Sequence, residues 1–218
     1  RRHYRAHMVS TWDPGSDLTA GPTVVLIGGA PGSGKTTLGR AIAARLGFGS
    51  LTGDDLATAA RVVTTPTSHR DLHLTSGEDH RTYFTDTPPA KLILDAAAQE
   101  RAMVPVIDVV VRSHLGSLAP VVIDWWLLAP AQEVVHRRGV ASIWLYTDPA
   151  HLWSRERKNT AFTAGSSDPE KMLSSFMERS LWRNELIREA AEERSLPVLT
   201  VDEDSEPELE DQALGLLG

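Results

Sequence analysis

Between Gly29 and Thr36 the chain reads Gly-Ala-Pro-Gly-Ser-Gly-Lys-Thr, a full match to G-x-x-x-x-G-K-[ST]. The octapeptide constrains its surroundings, because its phosphate-binding geometry arises where a buried strand turns directly into a helix. Both flanks fit. Thr23 to Gly28 is mostly β-branched and apolar, as a central parallel strand buried on both faces would be. After the loop, Leu38, Ile42, Ala43 and Leu46 recur at helical spacing before Gly47, which predicts a helix over Lys35–Leu46. In such a turn the glycines let successive N–H groups point inward, and the helix start adds its own partial positive charge. Gly29, Ala30, Pro31, Gly32, Ser33, Gly34, Lys35, Thr36 and Thr37 are therefore the candidate nucleotide cradle. Within it Lys35 is expected to reach the β- and γ-phosphates and Thr36 to ligate Mg2+. The chain has four Lys in all, so one at this point is telling.

Such a loop serves kinases, GTPases, motors and switches alike, so other residues must decide among them. Val121-Val122-Ile123-Asp124 is an apolar strand ending in a carboxylate, which makes Asp124 a candidate to hold Mg2+. Asp54 and Asp55 stand at the junction of a short strand, Phe48 to Thr52, and a following helix, where α/β folds place functional side chains. Asp54 is the preferred base for an attacking hydroxyl; a helix cap is the competing role for an Asp here. In "HLWSRERKNTAFTAGSSDP", Arg155, Arg157 and Lys158 sit at one end of a small-residue loop, with Arg179 and Arg183 on the returning helix. That hairpin reads as a lid carrying cations to the transferred phosphoryl group, or else as a solvated basic face paired with Glu156 and Glu178.

The remaining segments set the organisation. Residues 64–87 interleave three His and two Arg with Ser, Thr and Gly and show little apolar periodicity, so they read as an irregular excursion. "PPAKLILDAAAQERA" is a helix with Pro at its start, and "VPVIDVVVRSHLGS" is ambiguous between strand and helix, with the helix favoured. "LLAPAQEVVHRR" reads as a short helix between the strands "PVVIDWW" and "GVASIWLYTD". A long helix follows from Asp168, and "LPVLTVD" closes the sheet. Strand and helix alternate throughout, which predicts one parallel sheet covered on both faces.

The 218 residues, 41% of them hydrophobic, suffice for one core. The expected division is an N-terminal extension over 1–22, a domain over 23–202 with an acceptor-binding region at 64–116 and a lid at 153–183, and an acidic, solvated tail over 203–218. The formal charge is −7, yet Asp202 to Asp211 alone holds seven acids and no base, so the body is near neutral. A near-neutral body argues against nucleic acid as a partner. The chain contains no Cys, which excludes disulfides, thiolate metal sites and a Cys nucleophile and fits a reducing compartment. No apolar run approaches the roughly 20 residues of a membrane span, and a cytoplasmic protein is expected. Spacing among His69, His73, His80 and His114 matches no metal-ligand pattern. Trp125 and Trp126 are expected in the core, with stacking on an acceptor ring as the alternative.

Taken together, these residues resemble the small-molecule kinases of the P-loop kinase superfamily, in the style of adenylate, gluconate, shikimate and chloramphenicol kinases. The likeness covers most of Thr23 to Asp202. "HRTYFTDT", "VVVRSHLGSLAPVVIDWWLLAP" and "FMERSLWRNELIREAAEERSLPVLTVD" look most like the 2-phosphoglycerate kinase-like and chloramphenicol phosphotransferase-like proteins. Where that group usually has an acidic residue followed by Gly, Asp124 is followed by Trp125. Zeta-toxin-type kinases, which phosphorylate nucleotide sugars, share a similar loop. The resemblance implies an α/β P-loop NTPase fold: a five-stranded parallel sheet in the order 2-3-1-4-5, helices on both faces and a helical lid. It also implies ATP or GTP as donor, Mg2+, and a small hydroxylated acceptor. Carried over by position, Lys35, Asp54 and Arg155 would be catalytic, and Arg157 would join the nucleotide site. Thr36 and Asp124 would hold the metal, and Asp55, Arg81, Tyr83 and Arg112 would bind the acceptor. A homodimer is compatible with the group. The competing reading is a nucleotide-dependent ATPase or GTPase switch acting on a protein partner, although no guanine-specifying N-K-x-D is present.

Overall fold

The computed structural model describes residues 21–74, 79–116, 118–203 and 208–217. The expected extension over 1–22 therefore lies almost wholly outside the described residues. Five strands, β1 (Val24–Gly29), β2 (Gly49–Thr52), β3 (Val121–Trp125), β4 (Val140–Thr147) and β5 (Val198–Val201), form one sheet in the order β2-β3-β1-β4-β5. Every pairing is parallel. The central strand β1 is buried at all six positions, which its unbroken apolar character requires, whereas edge strand β2 is exposed or half-buried.

Helices cover both faces. On one lie α1 (Lys35–Leu46) and α8 (Leu209–Gly215), closing a core of Val25, Ile27, Leu38, Ile42, Val122, Ile143 and Leu145. On the other lie α4 (Pro89–Gly116) and α7 (Pro169–Glu192), over Leu26, Met103, Ile107, Val111, Ile123, Trp125, Trp144 and Ile187. A third cluster, including Ala30, Tyr83, Phe84, Leu92, Leu152, Met172 and Phe176, joins the loop after β1 to α3 (His80–Asp86), α5 (Pro149–Lys158) and α7. Among the described residues no helix is long and apolar enough to cross a membrane.

Four expectations change. The excursion at 64–87 is not irregular throughout: a 3-10 turn spans Arg70–Leu72, and Asp79 caps α3 through the Arg81 N–H, with Tyr83, Phe84 and Thr85 buried behind it. The two segments from Pro89 to Gly116 are one 28-residue helix that runs through Pro105, whose missing N–H leaves one helical acceptor unpaired. The end of the chain is not simply a solvated acidic tail, because α8 buries Leu209 and Ala213 against the sheet, and Glu210 lies 3.8 Å from Arg45 of α1. "LLAPAQEVVHRR" forms only a short 3-10 turn at Glu133–His136.

Candidate active site

The loop after β1 takes its shape from two glycines at positive φ, Gly32 (81°) and Gly34 (88°), angles that side-chain-bearing residues rarely adopt. Gly34 stands at the N-cap of α1 and offers no side chain to its first turn, so the N–H groups of Lys35, Thr36 and Thr37 have no acceptor within the helix. The hydroxyl of Ser33 is fully buried and without a partner. Uncapped amides, an orphaned hydroxyl and a helix dipole pointing outward suit an anion with several oxygens. Lys35 is 8% exposed and its Nζ donates to the Ala30 carbonyl at 3.3 Å. Burial pulls its pKa below the ordinary Lys value, against the opposing pull of Asp54, Asp124 and Glu156.

Parallel register brings the carboxylates to the same edge. Asp124 on β3 pairs with Ile27 of β1 on one side and Thr52 of β2 on the other. It is 2% exposed and accepts a hydrogen bond from Thr36 Oγ1 at 2.6 Å. Burial raises the Asp124 pKa, while the Thr36 hydroxyl and Lys35 lower it. This hydroxyl–carboxylate pair offers oxygen only, which fits Mg2+, an ion that takes one or two protein ligands alongside phosphates and water.

Asp54 and Asp55 fall in the first turn of α2 (Gly53–Val62), where acids favour the helix dipole. The cap itself is Thr52, whose Oγ1 accepts from the Asp54 N–H at 3.2 Å, so neither Asp is needed as a cap. Asp54 Oδ1 accepts a hydrogen bond from Trp125 Nε1 at 3.1 Å. The two residues meet closely because Gly53 lacks a side chain: a Cβ there would lie 2.0 Å from the Trp125 ring. Asp55 faces elsewhere, into a hollow of about 150 Å3 shared with Thr36, Arg40 and Asp124.

The hairpin expected as a lid is α5, α6 (Thr160–Thr163) and the start of α7. Arg155 lies over the loop, its guanidinium 3.6 Å from where a Cβ on Gly34 would be. It walls a cavity of about 290 Å3 with Gly34, Thr37, Leu38, Ala41, Val201, Leu209 and Glu210. Arg157 is not there. Two residues on a helix are turned about 200° apart, and its guanidinium stacks on Trp153 at 5.2 Å on the outer face of α5. Arg183 is buried as a structural clamp, donating to the Trp126 carbonyl (2.9 Å), the Leu128 carbonyl (2.7 Å) and Glu100 (2.8 Å).

The expected acceptor residues separate. Tyr83 is buried and its hydroxyl donates to Asp95 at 3.1 Å. Arg81 donates through Nε to the Ala164 carbonyl at 2.6 Å and pairs with Asp79, tying α3 to the lid loop. Arg112 is remote. It pairs with Asp108 at 2.9 Å, and Asp108 also holds Arg137, just before β4. Arg112 thus sits some 23 residues, or about 35 Å, along α4 from the end near the site.

Several residues at the site carried no signal as such in the sequence. Trp125 gained its role from a partner 71 positions away. Glu156 is 9% exposed against Gly32, with burial raising its pKa and Asn159, Arg155 and Lys35 opposing. Leu209 and Glu210 could have been found, since Leu209, Ala213 and Leu217 repeat at helical spacing within the acidic end.

A family model described as an AAA domain matches residues 25–172. No curated protein matches the chain. Among solved structures, a shikimate kinase from Acinetobacter baumannii in complex with shikimate is 22% identical, with a TM-score of 0.51 over 89% of this chain and 92% of the other. A gluconokinase from Sinorhizobium meliloti 1021 is 21% identical (TM-score 0.50, 90% and 91% covered). A shikimate kinase from Bacteroides thetaiotaomicron is 17% identical (TM-score 0.54, 88% and 95% covered). At these identities the likeness is one of fold, a P-loop α/β fold with the sheet order found here.

Proposed function

Because the chain belongs to the AAA domain family, we propose that it is a phosphotransferase that moves the γ-phosphoryl group of ATP or GTP to a hydroxyl of a small metabolite or natural product. The observation that carries this reading is the meeting of the loop, the Thr36–Asp124 pair and the tethered Asp54 at one end of the sheet. The fold shared with shikimate kinase and gluconokinase structures supports it. The likeness of three segments to 2-phosphoglycerate kinase-like and chloramphenicol phosphotransferase-like proteins supports a place beside that group.

In this reading the amides from Gly29 to Thr36 and the Lys35 ammonium hold the β- and γ-phosphates. The cavity beside Arg155 receives the purine nucleoside. Thr36 and Asp124 would hold Mg2+, which when bound neutralises charge on the β- and γ-phosphates. The acceptor oxygen bonds to the γ-phosphorus as the bond to the β-phosphate oxygen breaks, and the hydroxyl proton passes to Asp54. Trp125 keeps the Asp54 carboxylate aimed, and Arg155 meets the charge that develops on the transferred group. Arg157 and Arg112 have no part in it.

The test is a screen for ADP release with hydroxylated compounds, repeated with Asp54→Asn and Lys35→Ala. Asp54→Asn is expected to retain nucleotide affinity and lose most turnover, and Lys35→Ala to lose transfer altogether. Full turnover by Asp54→Asn would remove the assigned base. Slow hydrolysis indifferent to every compound, with a stable protein complex in pull-down, would favour the switch.

A further inference from the structure

The cavity of about 290 Å3 beside Arg155 runs along one side of α1, from Gly34 through Thr37 and Leu38 to Ala41. Arg45 continues that side one turn further, and side chains on a helix tilt back toward its N-terminus. Glu210, on α8, lines the cavity and has its Oε1 3.8 Å from the Arg45 guanidinium. Its carboxylate therefore stands at the end of the cavity away from the loop amides. That is where the base of a nucleotide lies once its phosphates rest on the loop. Leu209 and Ala213, buried against the sheet, fix the helix that carries Glu210.

Most of the lining is indifferent to the base. Arg155 offers a planar cation, and Leu38, Val201 and Leu209 offer apolar surface, which any purine ring can use. The hydroxyls of Ser33 and Thr37 can each donate or accept, so neither tells one base edge from another. Among the described residues that line the cavity, Glu210 alone has a side chain that, ionised, only accepts. Guanine presents two adjacent donors, N1–H and the N2 amino group, which match the two oxygens of a carboxylate. Adenine presents one donor, the N6 amino group, beside the N1 lone pair, which the second oxygen repels. The Arg45 contact does not block this use of Glu210: at 3.8 Å, with side chains 62% and 38% exposed, the pair is loose and contributes little.

We infer that Glu210 selects the base, accepting from N1–H and the N2 amino group of a guanine at once, so that the site prefers GTP to ATP as phosphoryl donor. The carboxylate does this from the C-terminal helix, in a chain that has no N-K-x-D. The donor role rests on the phosphotransferase reading; the base preference rests on the cavity holding the nucleoside and is independent of what accepts the phosphoryl group. Discrimination by one side chain leaves ATP a working donor at saturating concentration.

The test is calorimetry of the full chain with Mg2+ and, in separate titrations, GDP, ADP and xanthosine diphosphate, whose base keeps N1–H but carries a carbonyl oxygen in place of the N2 amino group. Wild type should bind GDP more tightly than either of the others by about tenfold or more. Glu210→Gln replaces one carboxylate oxygen with an amino group of the same size, so it should weaken GDP and strengthen xanthosine diphosphate until their order reverses. A reversal supports the inference, since a side chain that merely held α8 in place would not produce it. Equal affinity of wild type for GDP and ADP, or a Glu210→Gln protein that weakens all three alike, overturns the base preference while the bound diphosphates leave the nucleotide site standing. No heat with any of the three would overturn the nucleotide site and the preference together.

Discussion

Replacing Trp125 with Phe separates the position of Asp54 from its chemistry. The substitution keeps a ring beside Gly53 and deletes the donor that, among the described residues, reaches Asp54 Oδ1, a contact of 3.1 Å. A hydrogen bond to a charged group contributes about 1.5–3 kcal/mol, but Asp54 is exposed and water replaces much of what is lost. We predict that about 1 kcal/mol remains as misplacement of the base, roughly a fivefold fall in kcat. Trp125 is 1% exposed, so shrinking its ring also leaves unfilled core volume. We expect that to cost about 1–2 kcal/mol, a lowering of Tm by roughly 2–8 °C in a chain of this size. The assay is ADP release at saturating nucleotide, at a temperature where both proteins are folded, with Mg2+–ADP affinity measured in parallel. Affinity should be unchanged. The decisive comparison is the double variant: if Trp125 acts through Asp54, adding Trp125→Phe to Asp54→Asn lowers kcat no further. A second full fivefold loss in that background, or an equal loss of ADP affinity, would refute the argument.

Other outcomes follow from burial and charge. The Asp124 pKa is raised in the folded state, so the native protein binds more protons than the unfolded chain between the unfolded value near 3.9 and the higher folded one. Stability therefore falls as pH rises through that window, and Asp124→Asn should raise the nucleotide-free Tm at pH 7, lose that advantage near pH 4, and abolish the added Tm that Mg2+ gives with ADP. A variant no more stable than wild type at pH 7 would contradict the sign. Arg183→Ala leaves Glu100 without its buried partner and frees two carbonyls, so thermal or urea unfolding should show a loss of about 3–5 kcal/mol. Arg112→Ala, at the far end of α4, should leave kcat and KM within error of wild type.

The part of this architecture legible in the sequence was the part governed by local rules. The Gly29–Thr36 loop, its strand and its helix are contiguous, and the apolar run ending at Asp124 announces a central strand; together with the family resemblance they led to the observed sheet order. Residues whose state depends on distant partners were opaque. Arg179 and Arg183 look alike as two cations one turn apart, and only the packing of α7 leaves one bare and clamps the other. Helix α3 is hidden among polar residues because its apolar face is only Tyr83 and Phe84, which pack on Phe176 and its neighbours across the fold. The two segments joined at Met103–Pro105 read separately in the sequence, and they are one helix because Met103, Ile107 and Val111 on either side of Pro105 pack on the sheet. Arg157 was legible and misread: its offset from Arg155 puts it on the opposite side of α5.

The most direct test of the central claim is to incubate the protein, Mg2+ and a metabolite extract with ATP radiolabelled at its γ-phosphorus and to follow where the label goes. Transfer at the Asp54 site predicts label in an organic phosphate, formed in step with ADP by wild type and lost with Asp54→Asn. Label appearing solely as inorganic phosphate, at a rate no compound in the extract alters, would contradict it.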